Sequence, residues 1–592
     1  MPPQLKPGHV LPVLAEEIDR FEEQVQKFRR EEVPATEFRL FRLQHGVYGQ
    51  RQPNVQMIRV KLPFGGVTAD QMEAMATITA EYSKLGRGHI TTRQNVQFYF
   101  VNLDDSPGIL RLLGRVGLTT REACAHTVRN VTGCAYAGVC PDEVFDATPY
   151  LVAYARNMLR NPICQRLPRK WKTAFAGCGT DCVSTAMHDL GFIAKVRRNG
   201  DGSDQKGFQI VVGGGLSTFP RQADVIYDFV PVDGGEYITR AEAMLRVFDR
   251  EGGLTGFLRK NLNKARVKFL VHKLGIDEFR RQVEEELKGD WAREPKDLST
   301  LMALAPEGPT VGEIPTDGQR PIPAGFQRWR ATNVRRQRQE GCCAVTVTVP
   351  LGNITADQFR GLARIMRSYS GGNGRTNQNQ NLVLRWVPEQ ALAPLYRDLV
   401  DSGLGDSEAG LIADVASCPG SDSCSLAITS SPAMARALSQ AVREMNIDDP
   451  LIESISIKIS GCPNACSQHH LAGIGLHGAA IRLGRREVPS YDLFLGGSAN
   501  GVIRYGQRLT RIPAKRVPQA VARILEVYRR ERHDGEPFND FLDRFGVKSF
   551  GPLLAEFKEV GPVRQEIESY IDWGSTVLFQ VMRGEGECAV GE

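Results

Sequence analysis

The sequence predicts an internally duplicated α+β protein with two halves of about 280 residues each. Two observations predict it. A strand, turn, helix, turn, strand plan occurs in "MIRVKLPFGGVTADQMEAMATITAEYSKLGRGHITTRQNVQFYFV" and again in "VTVTVPLGNITADQFRGLARIMRSYSGGNGRTNQNQNLVLRWV". Four cysteines then recur in one register, each 284 residues apart.

The elements follow in order. "EEIDRFEEQVQKFRREE" has apolar residues at helical spacing on a charged background and predicts an amphipathic lead-in helix within residues 1–50. In the repeated segments, β-branched and aromatic residues flank an Ala/Met-rich centre. Thr68-Ala69-Asp70-Gln71 matches Thr355-Ala356-Asp357-Gln358 at an offset of 287. Gln94-Asn95 matches Gln378-Asn379 at an offset of 284, which implies a three-residue shortening before the second strand. "MALAPEGPTVGEIPTDGQRPIPAG" is rich in Pro and Gly and reads as the connecting loop. A Gly-rich turn echoes as "IVVGGGLS" near Gly213 and "LFLGGSAN" near Gly496; tight turns needing positive φ explain it better than phosphate binding.

At 592 residues the chain is too long for one core, and roughly two to four domains are expected. An apolar fraction of 42% and a charged fraction of 24% exclude disordered and fibrous classes. No apolar run of about 18 residues occurs and "MPPQLKPGHV" lacks a signal-peptide pattern, so a soluble, cytoplasmic protein is expected. The net charge of +6 is dispersed, which disfavours nucleic acid and suits an acidic protein or an anionic ligand.

Thirteen cysteines in such a chain point to metal or redox chemistry instead of disulfides. Cys418 and Cys424 in "SCPGSDSCS" form Cys-x5-Cys, and Cys462 and Cys466 in "ISGCPNACSQHH" form Cys-x3-Cys. Zinc favours Cys-x2-Cys knuckles, which makes it a poor fit though not an excluded one. Four thiolates from two turns suit an iron-sulfur cluster. Cys134 and Cys140 in "GCAYAGVCP" and Cys178 and Cys182 in "GCGTDCV" repeat the pattern. Cys124, Cys164, Cys342, Cys343 and Cys588 fall outside it.

"GCPNAC", "TTRQNVQFYF", "VRNVTGC", "LPRKWKTAF" and "NKARVKFLV" together resemble the assimilatory sulfite and nitrite reductases, over roughly residues 40–550. The resemblance implies a pseudo-twofold fold in which each half is a ferredoxin-like subdomain followed by a larger α/β siroheme and cluster domain. The expected division is a lead-in at 1–50, a ferredoxin-like half-domain at 51–120, a cluster-type domain at 121–285, a linker at 286–335, a second half-domain at 336–405, a second cluster domain at 406–550 and a tail at 551–592.

It further implies a 4Fe-4S cluster on Cys418, Cys424, Cys462 and Cys466, with Cys466 also ligating siroheme iron. Arg93, Arg129, Lys170 and Lys172 match the family's substrate-site residues, the arginines for binding and the lysines mainly for proton supply. In Lys170-Trp171-Lys172, residues two apart on a strand share a face, so both ammonium groups would point one way and Trp171 the other. Asn464 matches a position against the siroheme, and Asn263, Arg266 and Lys268 lie in another shared stretch. An offset of 284 gives Asn377, Ala413, Ser454 and Ser456 opposite the four basic residues, so one catalytic site is expected, built from first-half cations and second-half cysteines.

The family's first-half cluster ligands are generally degenerate, whereas this chain keeps Cys134, Cys140, Cys178 and Cys182; they are either a second 4Fe-4S site or leftover thiols. Sulfite-type members are similar to this chain in having Lys at the position of Lys172, and nitrite-type members tend to have Asn. The resemblance thus favours six-electron reduction of sulfite to sulfide, with nitrite to ammonia as the alternative and a non-catalytic electron-transfer protein as a distant one. No flavin or nicotinamide domain is evident, so ferredoxin or a flavoprotein would supply electrons.

Overall fold

The computed structural model describes residues 8–252, 256–310, 320–499, 501, 503–584 and 586–587. Cys588 and residues 311–319 of the connecting loop lie outside them. The first half carries strands β1 (Val47–Gly49), β2 (Val55–Val60), β3 (Gly66–Thr68), β4 (Arg87–Ile90), β5 (Val96–Asn102), β6 (Thr132–Gly133), β7 (Thr173–Ala176), β8 (Leu190–Arg198), β9 (Asp204–Val212) and β10 (Asp224–Pro231). The second half repeats them as β11 (Val334–Arg336), β12 (Cys342–Val347), β13 (Asn353–Thr355), β14 (Asn373–Thr376), β15 (Leu382–Pro388), β16 (Ala416–Ser417), β17 (Ile457–Ser460), β18 (Ile474–Leu483), β19 (Arg486–Leu495) and β20 (Gln507–Pro513).

Among the described residues these strands form four five-stranded sheets. Two are ferredoxin-like and exchange an edge strand: β13 closes the sheet β1-β2-β5-β4, and β3 closes β11-β12-β15-β14. The registers are equivalent, with Ile354 opposite Gly88 and Val67 opposite Gly374. Neither half completes its sheet alone. Helices Ala69–Glu81 and Ala356–Tyr369 pack together across the pseudo-twofold, and Met72, Met75, Phe359, Leu362 and Met366 share one core.

Both helices begin with the same capping box. Gln71 N donates to Thr68 Oγ1 while Thr68 N donates to Gln71 Oε1, and Gln358 and Thr355 do likewise. Such a box satisfies two amides that the first helical turn leaves unpaired, for about 1 kcal/mol.

The repeat register differs from the sequence expectation at one point. Gln94 and Gln380 both adopt left-handed backbone, with φ of 59° and 69°. Gln94 Oε1 accepts from Gly133 N and its Nε2 donates to Thr376 O; Gln380 accepts from Ser417 N and donates to Ile90 O. Gln94-Asn95 therefore corresponds to Gln380-Asn381 at an offset of 286, not to Gln378-Asn379. The string "NQNQN" fits two ways, and only the hydrogen bonds of the turn separate them. Arg93 is consequently matched by Asn379 instead of Asn377, and the absence of a cation there stands.

Each cluster-type domain is a mixed sheet, β10-β9-β8-β7-β6 or β16-β17-β18-β19-β20, in which β6, β7 and β8, and likewise β16, β17 and β18, run parallel. Each has its own core, closed by helices such as Glu236–Glu251 and Val517–Glu531. The Gly-rich turns behave as expected: Gly213 and Gly496 have φ of 86° and 85°, and a Cβ on the next residue, Gly214, would lie 2.2 Å from Ala186 O. The lead-in helix Ala15–Arg29 buries Phe21 and Val25. At the other end, Glu587 binds the Arg42 guanidinium, which ties the tail to the first half.

Candidate active site

Cys418 follows β16, Cys424 sits just past a 3₁₀ turn at Gly420–Asp422, and Cys462 and Cys466 occupy the loop after β17. These turns approach so closely that a Cβ on Gly461 would lie 2.9 Å from Gly420 Cα and from Thr429 O. Gly461 N donates to Cys418 Sγ at 3.2 Å, and Ser431 Oγ lies 3.2 Å from the same sulfur. Burial, then the neighbouring Cys466, pushes the Cys418 thiol up to about 12, and burial and Cys466 also raise Cys424 and Cys462. Thiols that burial and mutual repulsion hold protonated become thiolates when a positive inorganic core compensates them. Among the described residues no three His, Cys, Asp or Glu side chains gather closely enough to hold a single metal ion. A cubane spreads its four thiolates over four irons, so this donor set fits a 4Fe-4S cluster better than zinc.

The first half delivers its cations to this loop. In the β4–β5 turn, Thr92 Oγ1 donates to Cys466 O at 2.7 Å, a contact between residues 374 apart in sequence. The next residue is Arg93, whose guanidinium donates to Asn130 O. Burial pushes Arg93 down to about 9, with Asp189 opposing and Arg129 and Arg266 adding to the shift. Arg129 is buried and held by Ala125 O and Ala123 O, both at 2.9 Å.

Trp171 is fully buried against Phe248, while Lys170 and Lys172 on either side remain partly accessible. Burial first, then Arg169, Arg129 and Arg266, lowers Lys170 to about 8, and Cys466 opposes. Lys172 is driven well below the ordinary ammonium range by burial and by Arg266, Arg93 and Lys170, again opposed by Cys466. First-half lysines and second-half Cys466 thus share one electrostatic environment.

One buried carboxylate organises the set. Asp189 takes Arg266 in a bidentate pair at 2.8 and 2.6 Å and accepts from Lys172 N at 2.8 Å. His188 is buried beside Arg93, Lys172 and Arg266, held well below its ordinary value by desolvation and by the nearby Arg93, so its ring is neutral. Arg93 and Arg266 lie within reach of Asp189, Lys170 lies near Arg129 and Arg266, and Lys172 lies near Arg266, Arg93 and Lys170, a concentration of cations that suits a polycarboxylate macrocycle and an oxyanion.

The remaining expected residues meet a first-half loop. Asn464 Oδ1 accepts from Ser217 Oγ at 3.4 Å, and Lys268 Nζ donates to Leu216 O and Phe219 O at 2.6 Å each. Arg266 is on Asp189, as above. Asn263 is exposed in the 3₁₀ turn Leu262–Lys264, its amide held by Asn261 Oδ1. Cys134, Cys140, Cys178 and Cys182 converge elsewhere, with Cys178 Sγ 3.9 Å from Cys140 Sγ.

Thr92, His188 and Asp189 escaped the sequence reading. A signal for two of them was present: the repeat offset of 284 pairs His188 with Ala472 and Asp189 with Gly473, so both depart between halves as the four basic residues do.

Comparison with known proteins agrees with this geometry. The nitrite and sulphite reductase 4Fe-4S domain matches residues 124–290 and 408–559, and the nitrite/sulfite reductase ferredoxin-like half domain matches residues 48–116 and 335–402. A ferredoxin-nitrite reductase of Synechococcus elongatus is 30% identical over 80% of this chain and 86% of its own. A protein named sulfite reductase (ferredoxin) 1 from Mycolicibacterium paratuberculosis is 29% identical over 81% of each chain. The solved structure of the Mycobacterium tuberculosis NirA protein superposes with a TM-score of 0.72 at 26% identity, covering 91% of this chain and 97% of its own. With matched domains in both halves and a composite site of thiols and cations, this chain belongs to the nitrite and sulphite reductase family of enzymes, whose cofactors are siroheme and a 4Fe-4S cluster.

Proposed function

We propose that this enzyme reduces sulfite to sulfide with six electrons, that Cys418, Cys424, Cys462 and Cys466 hold its cluster, and that Cys466 also joins the siroheme iron. The observation that carries the sulfite assignment is the pair Lys170 and Lys172, flanking buried Trp171 and both within electrostatic reach of Cys466. Siroheme when bound supplies an iron that binds the anion and delivers electrons one at a time. Arg93 and Arg129 hold the oxyanion, since a planar guanidinium offers paired donors. Lys170 and Lys172 give up protons as oxygens leave as water; burial first, and then the neighbouring cations, makes each a stronger acid than an ordinary ammonium. Sulfite has three oxygens and more charge than nitrite, so a second ammonium is useful. Asp189 keeps Arg266 and the Lys172 backbone in place.

Reduction of nitrite to ammonia is the second reading, favoured by the relatives named as ferredoxin-nitrite reductases. Ferredoxin is the proposed donor, since the names of both kinds of relative include it; a small acidic protein also suits a net charge of +6.

The test is Lys172→Asn. Loss of one proton donor should lower sulfite turnover about 10²-fold or more and nitrite turnover much less. Equal losses on the two anions would sink the sulfite assignment.

A further inference from the structure

The first-half thiols lie outside the catalytic site, yet they are as well organised as the second-half set. Cys182 lies within electrostatic reach of Cys134 and Cys178, and Cys178 Sγ donates to Cys140 Sγ at 3.9 Å, so the four thiols lie together. Tyr136 N donates to Cys134 Sγ at 3.4 Å, the kind of amide support that Gly461 N gives Cys418.

The ligand turn also keeps its cost. Asp181 and Ser184 flank Cys182 in left-handed backbone with φ of 49° and 54°, and their equivalents Ala465 and Gln468 flank Cys466 with φ of 55° and 65°. Two non-glycine residues in that region cost about 1 kcal/mol or more each, and a turn released from ligand duty would be free to relax. The Asp181 carboxylate instead clamps the turn by accepting from Thr185 N at 2.8 Å and Thr185 Oγ1 at 2.9 Å.

The charge around the two sets differs: the first-half thiols have two buried arginines beside them, together with the carboxylates of Asp146 and Glu143. By the strand register, Arg375 and Arg385 stand where the second-half site has His89 and Tyr99. Both guanidiniums are almost fully buried and within electrostatic reach of Cys134. Arg385 donates to Ala137 O, inside the Cys134–Cys140 loop, and Glu307 of the connecting segment pairs with both arginines. A 4Fe-4S core with four thiolates is an anion, more so when reduced, and buried cations stabilise it.

We propose that Cys134, Cys140, Cys178 and Cys182 hold a second 4Fe-4S cluster. This rests on the family assignment of the second-half cluster.

Iron, acid-labile sulfide and extracted siroheme, measured per chain on the holoenzyme, test it. The expected result is about eight iron atoms beyond siroheme iron and about eight sulfides. In Cys134→Ser/Cys178→Ser both should fall to about four while the siroheme bands persist. About four of each in the unaltered enzyme, or stoichiometric zinc with about four iron, would overturn the proposal. Missing siroheme would instead count against the family reading of the catalytic half. The unaltered enzyme decides the question even if the double variant does not fold.

Discussion

Asp189 in the first half and Gly473 in the second occupy equivalent positions at the mouth of equivalent strands, and around them the halves have parted. The first half carries a linked set of cations, Arg93, Arg129, Lys170, Lys172 and Arg266; at the first four the second half has Asn379, Ala413, Ser454 and Ser456. Sheets, capping boxes and left-handed turns are retained in both. Packing thus constrains the halves alike, whereas charge is kept only where it serves a site. Because the halves exchange β3 and β13, each β4–β5-type turn reaches the other half's cysteine loop: Thr92 meets Cys466 O and Gln378 meets Val183 O. The proposed catalytic site then takes its cations from one half and its thiols from the other.

The sharpest way to break this asymmetry is Arg93→Asn, which gives the first half the second half's residue. Losing one charged donor to the oxyanion should lower kcat/KM about 10²-fold for either anion, with siroheme content unchanged. Full activity in that variant would mean that Arg93 is not a substrate ligand. A smaller effect is expected from Thr92→Val, which removes the hydrogen bond to Cys466 O. About 1 kcal/mol, or roughly a fivefold fall in kcat, should appear with KM little changed and with a shifted reduction potential of the coupled centre. A fall in protein stability alone, with potential and kcat intact, would make Thr92 merely structural.

The smallest effect concerns His89, where the other half carries Arg375. His89 is buried between Asn353 Oδ1 at 3.1 Å and Gln380 Nε2 at 3.2 Å, and desolvation lowers it from 6.5 to about 4. A histidine held neutral in the fold contributes stability that is fully present above pH 6.5 and is lost as pH falls toward 4, because the unfolded chain takes up the proton first. His89→Gln should therefore flatten the thermal midpoint against pH between about 6.5 and 4. An unchanged slope in that window would remove His89 from the acid response.

Some of the local structure around the candidate site was legible. At Lys170-Trp171-Lys172 the burial alternates, with Trp171 buried and both lysines partly accessible, though the stretch precedes β7 and joins the sheet only through the Val128–Trp171 bridge. The cysteine pairs fall on turns, as their Gly and Pro neighbours required. The register of "NQNQN" was not legible, since polar repeats carry no burial pattern to fix alignment. Nor was Lys268 legible as a residue whose ammonium is taken up by Leu216 O and Phe219 O.

The sequence by itself determined the duplication, the spacing of eight cysteines and the loss of four cations from one copy, because these are properties of residue identity and interval. Tertiary structure alone decided which half's charges face which half's thiols. Strand exchange, not chain order, carries Thr92 and Arg93 across to Cys466. It also decided that Asp189, undistinguished in the chain, is the buried anion on which Arg266 and the Lys172 amide are hung. Hydrogen bonds and electrostatic coupling between residues hundreds of positions apart exist only once the cores have closed.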